Sequence, residues 1–204
     1  MNRERLIIFR TTIAIVLVIL LSIAAFLYLK DNISSGERSS SSNNPKLDMN
    51  NDTYPASSLK LTSPAFEDGF MLPVEYTCNG SDIQPGFFIS GVPKGSASLA
   101  FTLEDPDTSI GTFDHWVKFD MDPAPKEIKK GIEPDGVRGR ATNGELGYVS
   151  PCPPSGIHRY IFTLYALDKK LGLAEGSTKQ EVLSALKGHV VGVAKLTGRY
   201  GRDK

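Results

Sequence analysis

Hydrophobic and polar positions divide the chain into three regimes. Thr11 to Leu29, "TTIAIVLVILLSIAAFLYL", is nineteen residues without a charge, bounded by Arg10 and Lys30. A helix rising about 1.5 Å per residue reaches roughly 29 Å over that length, enough for a bilayer's hydrocarbon core. Residues 30–58 follow as a stretch rich in serine and asparagine with few large apolar side chains, too little to offset the entropy of ordering. From Leu59 onward, short apolar stretches alternate with turn-forming clusters, the pattern of one globular domain over 59–204.

Within that domain "SLAFTLE" places Leu99, Phe101 and Leu103 on one strand face and Ala100, Thr102 and Glu104 on the other. "HWVKFDM" reads as a second strand, and "HRYIFTLYALD" is apolar enough on both faces to be central. The clusters "EDG", "CNGSD", "GVPKGS" and "DPAP" supply turns. One segment predicts a helix: "STKQEVLSALKGH", with Ser177 or Thr178 as cap, Gln180 or Glu181 three residues on, and Gly188 as a stop. "VVGVAKLTGRY" returns to strand. The expectation is a mainly β fold, an antiparallel β-sandwich with peripheral helices, preceded by one transmembrane helix.

Arg3, Arg5 and Arg10 precede the apolar span, while Lys30 and Arg38 behind it are accompanied by Asp31 and Glu37. This excess places residues 1–10 in the cytoplasm, 11–29 across the membrane, 30–58 as a disordered linker and the domain on the extracytoplasmic side, a single-pass arrangement. The competing reading is a secretory signal peptide cleaved near "SIAA", Ser22 to Ala25, which would release the domain. The run continues apolar through Leu29, longer than a typical signal core, and favours the anchor.

Charge changes the picture mainly by exclusion. Twenty-three basic and 23 acidic residues cancel, which removes any general electrostatic reason to bind nucleic acid. Partners must come from local sites. Two of the three histidines lie in dense polar contexts: "EDPDTSIGTFDHW" supplies Asp105, Asp107 and His115, and "PCPPSGIHRY" supplies His158, Arg159 and Tyr160 behind a proline-stiffened run. Arg159 reads as a structural donor tying loops together, and His189 as a capping or surface residue. Cys78 and Cys152 either pair, closing a long loop outside the cytoplasm, or remain as two buried thiols.

The ordered motifs "LTSPAFEDG", "PVEYTCNG", "GVPKGSASLAFTLEDPD", "HW", "SPCPPSGIHRYIFTLYALD" and "GHVVGVAKLTGRYGR" resemble the phosphatidylethanolamine-binding protein family, which includes Raf kinase inhibitor protein. The similarity runs from about Leu59 to Arg202 and looks closest to the small bacterial and archaeal members. It implies a β-sandwich with an anion-binding cavity at one end, formed by Asp105, Asp107, His115, His158 and Tyr160 with backbone N–H groups of Ser150 and Cys152. The implied partner is a small anion, phosphate or a phosphorylated headgroup, with a regulatory role resembling kinase or protease inhibition. Neither catalysis nor a cofactor is implied. Where the family often has a glycine pair this chain has Val149 and Ser150, and Ile89 stands where a tryptophan is common.

Two chemistries share these side chains. Protonated histidines suit an anion, whereas neutral imidazoles with carboxylates have the composition of a zinc site, and the two respond oppositely to pH. A hydrolytic enzyme with Ser150 as nucleophile and His158 as base is the remaining alternative. No G-x-S-x-G elbow supports it, and Pro151 removes one backbone donor from an oxyanion hole.

Overall fold

The computed structural model describes residues 57–202; the cytoplasmic segment expected over 1–10, the anchor expected over 11–29 and all but the last two residues of the linker expected over 30–58 lie outside them. Among the described residues no helix is long and apolar enough to cross a membrane. The chain order is β1 (Lys60–Thr62), a 3-10 turn (Val74–Tyr76), β2 (Phe87–Ser90), β3 (Ser98–Asp105), β4 (Phe113–Met121), β5 (Glu127–Ile128), β6 (Val137–Arg138), β7 (Ile157–Leu167), α1 (Lys179–Ala185) and β8 (Val190–Gly201). The strands form two sheets, β1-β2-β5 and β6-β4-β3-β7-β8, in which every strand pair is antiparallel.

The two sheets share one apolar core. Leu61, Phe87, Ile89 and Ile128 of the small sheet pack with Leu99, Phe101, Leu103, Trp116, Phe162 and Leu164 of the large one. Phe87, Phe101 and Phe162 sit at ring-centroid separations of 5.0–6.3 Å, and Trp116 meets Phe101 edge-on at 5.1 Å, within the favourable range for aromatic pairs. β7 is an interior strand, flanked by β3 and β8. Its run from Phe162 to Leu167 is buried on both faces, which is why it lacks polar alternation.

The expected alternation of β3 differs from what forms. Ala100 and Thr102 are buried as fully as Leu99, Phe101 and Leu103. The outward face of the large sheet is therefore covered as well. α1 touches β4 and buries Val182 and Leu183, with Leu186 just beyond it.

That helix starts where a reciprocal cap forms. The Glu181 N–H donates to Thr178 Oγ1 at 3.3 Å, and the Thr178 N–H donates to Glu181 Oε2 at 2.8 Å. For a helix of seven residues this is a large share of its local stabilisation. Thr178→Ala is expected to cost about 1 kcal/mol in urea denaturation, with Thr178→Ser nearly neutral. Equal stability of the alanine and serine variants would show that packing alone holds the helix.

Candidate functional site

β3 and β7 bring the acidic and imidazole groups together. Their register pairs Leu103 with Phe162 and Glu104 with Ile161, so Asp105, at the end of β3, lies beside the opening residues of β7. Period-two alternation then puts His158 and Tyr160 on the same face as Phe162 and Leu164, as an extension of the core face past the last aromatic residues. His158 Nδ1 and Asp105 Oδ2 are 2.7 Å apart, with both residues buried.

His115 arrives by a different route. β3 pairs Leu103 with Trp116 but Glu104 with Asp114, leaving His115 as the extra residue of a bulge. In a regular strand His115 and Trp116 would face opposite sides, and the bulge turns the imidazole inward instead. Its ring is buried, edge-on to Tyr160 at 5.4 Å and tilted against Phe113 at 4.6 Å.

The proline segment clamps His115 in both directions. The Val149 N–H donates to the His115 carbonyl at 2.9 Å, and His115 Nδ1 donates to the Val149 carbonyl at 2.9 Å. A carbonyl accepts only, so the Nδ1 proton is assigned, and the neutral ring carries its lone pair on Nε2. Burial holds the His115 pKa below the ordinary histidine value, against the opposing pull of the Val149 carbonyl and the Asp105 carboxylate.

The same segment is tied to the 3-10 turn. Cys78 and Cys152 form a disulfide with their Cα atoms 5.4 Å apart. The Cys78 N–H donates to the Pro151 carbonyl at 3.1 Å, and the Tyr148 hydroxyl donates to the Tyr76 carbonyl at 2.7 Å. Both cysteines are exposed, so the alternative of two buried thiols is replaced by a surface cross-link. The Cys152 sulfur is thereby taken.

Asp107 does not join the cluster. Its carboxylate accepts from the Arg159 backbone N–H at 2.8 Å and from the guanidinium at 2.6–3.2 Å. These bonds lower its pKa to about 2. The D-P-D motif therefore splits: Asp105 turns inward to His158 and also accepts the Asp107 N–H at 2.8 Å, while Asp107 fastens the turn to β7 from outside. Arg159 is the loop tie that its position suggests. His189 sits by Asp168 at 2.9 Å, on the surface.

Tyr160 is buried with no hydroxyl partner in hydrogen-bond geometry, and its pKa is driven far above the usual phenol value by burial and then by the Asp105 carboxylate. It stays protonated, a donor beside Asp105. Ser150 is buried, and neither its N–H nor that of Cys152 donates to an acceptor among the described residues. No hydrogen bond joins the Ser150 hydroxyl to His158, so the base and orienter of a hydrolase are present without a linked nucleophile. Among the described residues no group of three or more His, Cys, Asp or Glu side chains is arranged to hold a metal ion.

The molecule is thus a mainly antiparallel β domain carrying a buried Asp, His, His, Tyr cluster where its sandwiched core meets a disulfide-braced loop. The family model described as phosphatidylethanolamine-binding protein matches residues 62–201. A UPF0098 protein of Methanothermobacter thermautotrophicus is 44% identical over 150 residues, covering 71% of this chain and 99% of that protein. Among solved structures, a putative phosphatidylethanolamine-binding protein homolog, CT736 from Chlamydia trachomatis, aligns with a TM-score of 0.70 at 39% identity, covering 72% of this chain and 100% of that one. E. coli YbcL, described as a member of the mammalian PEBP family, aligns with a TM-score of 0.66 at 26% identity over 71% and 99%. This chain belongs to the phosphatidylethanolamine-binding protein family.

Proposed function

We propose that this protein is a membrane-tethered binding module whose cluster of Asp105, His115, His158 and Tyr160 takes a small phosphorylated anion on the extracytoplasmic side. One observation carries the reading: the buried His115 and His158 lie with Asp105 and Tyr160 beside the buried Ser150, whose N–H donates to no acceptor among the described residues. An N–H of a buried residue left without a partner costs free energy, and an oxyanion would satisfy it. The surface disulfide supports an oxidising compartment, and the uncharged span over 11–29 supports the tether.

The test is a titration of the purified protein with phosphate and phosphoethanolamine, following histidine ring signals by NMR. Saturable shifts of the His115 and His158 rings are expected in wild type, weakened at least tenfold in His158→Ala. Shifts confined to His189, or retained unchanged in both His115→Ala and His158→Ala, would move the binding site elsewhere. Zinc serves as the competing ligand: metal binding would weaken as pH falls, whereas anion binding would strengthen.

A further inference from the structure

The fixed tautomer of His115 says which phosphoryl groups the cluster takes. Because Nδ1 is committed to the Val149 carbonyl at 2.9 Å, the neutral imidazole presents an acceptor, not a donor, at Nε2. The bare oxygen of a fully ionised anion would meet that lone pair unfavourably. A P–OH group would donate to it.

The surrounding charges point the same way. The groups facing His115 are Asp105 from β3, His158 and Tyr160 from β7, Phe113 from β4, and the backbone of Val149 and Ser150. None is a permanent cation. Arg159 is occupied by Asp107, and Lys179 by Glu104 and Asp114 on the opposite face of the large sheet. Asp105 already contributes a negative charge beside His158. A second and third negative charge from a dianion would find no permanent cation among these groups, the Arg202 guanidinium lying at the Cys152 sulfur, 3.9 Å away, while a monoanion with one proton satisfies Nε2 and still offers an oxygen to the Ser150 N–H.

We propose that His115 makes the site selective for phosphoryl groups that retain an acidic proton, namely inorganic phosphate and phosphomonoesters in their monoanion form, over sulfate and over phosphodiesters. This rests on the phosphoryl-binding reading above and divides its two ligand sources. A free phosphate or phosphomonoester has the proton; the phosphodiester of an intact phospholipid headgroup does not.

The test is calorimetry on the full chain in a non-ionic detergent at pH 6, near the second ionisation of a phosphomonoester at about 6. The four probes are inorganic phosphate, phosphoethanolamine, sulfate and glycerophosphoethanolamine. The first two are expected to bind at least tenfold tighter than the last two. In His115→Gln, whose amide can turn its N–H groups toward the ligand, the phosphate-to-sulfate ratio is expected to fall toward one, with the His158 ring signal reporting that the Asp105 pair is intact. The ratio should also fall as pH drops and His115 takes its second proton. Equal binding of phosphate and sulfate by wild type, or preference for glycerophosphoethanolamine, would overturn the selectivity while leaving anion binding in place. No binding of any probe would instead remove the underlying reading and the selectivity with it.

Discussion

Reduction of the Cys78–Cys152 disulfide, or replacement of both cysteines by serine, is expected to lower the stability of the domain by about 4 kcal/mol. The bond spans a sequence separation of 74 residues, and without it the unfolded chain regains the entropy of that whole loop. Against a total of about 5–15 kcal/mol for a typical domain this is a large fraction. The effect on the site should be smaller. The segments stay tied by the Cys78 N–H to Pro151 and Tyr148 to Tyr76 hydrogen bonds, and His115 stays clamped to Val149. The expected pattern is a large drop in the urea midpoint of the reduced protein and of the double serine variant, similar in the two, with phosphate affinity falling only a few-fold. Both cysteines are exposed, so a small thiol reductant should reach the bond without prior unfolding. If reduced and oxidised protein share one midpoint, the cross-link contributes nothing through loop entropy.

The long elements were legible because several local signals agreed in each. At α1 the threonine cap, the glutamate three residues on and the buried Val182, Leu183 and Leu186 all select one helix start. β7 announced itself by an apolar run too long for a half-exposed strand. The small sheet carried no such signal. β2 is buried at Phe87 and Ile89 and exposed at Phe88 and Ser90, but Phe88 is itself aromatic, so alternation in burial is not alternation in hydrophobicity. β5 and β6 are two residues each, a single period with no repeat to reveal alternation, and exist only through their partners.

For the site, residue types were visible and directions were not. Asp105 and Asp107 have equal standing in the sequence, and only the β3 to β7 register shows that one faces His158 and the other Arg159. His115 next to Trp116 looks like a residue on the opposite face from the core, and the bulge that reverses this is a property of strand pairing. The Val149 carbonyl, which sets the His115 tautomer, belongs to the backbone. A side chain at that position signals nothing about where its carbonyl points. Cysteine pairing across 74 residues was likewise open until the fold put the 3-10 turn beside the proline segment.

Asp105 is the residue on which the cluster depends most, and Asp105→Asn, a change of one atom, is expected to cost about 3 kcal/mol. Its carboxylate faces three donors: the Asp107 N–H on Oδ1, His158 Nδ1 on Oδ2 and the nearby Tyr160 hydroxyl. Two acceptor oxygens can serve them all. An asparagine offers one oxygen, and its amide N–H groups must then confront either the Asp107 N–H or His158 Nδ1. If the amide turns to His158, the imidazole has to move its proton from Nδ1 to Nε2, so ring nitrogen shifts in the NMR spectrum should report the opposite tautomer. If it turns to Asp107, the D-P-D turn loses its internal hydrogen bond, and the tie from Asp107 to Arg159 should loosen with it. Either way the penalty arises from a buried mismatch, which a double-mutant cycle with His158→Ala isolates. A coupling energy of at least about 1.5 kcal/mol is expected between Asp105→Asn and His158→Ala in urea denaturation. Additive effects would mean that the two side chains are neighbours without being partners, and the tautomer argument for His158 would fall with them.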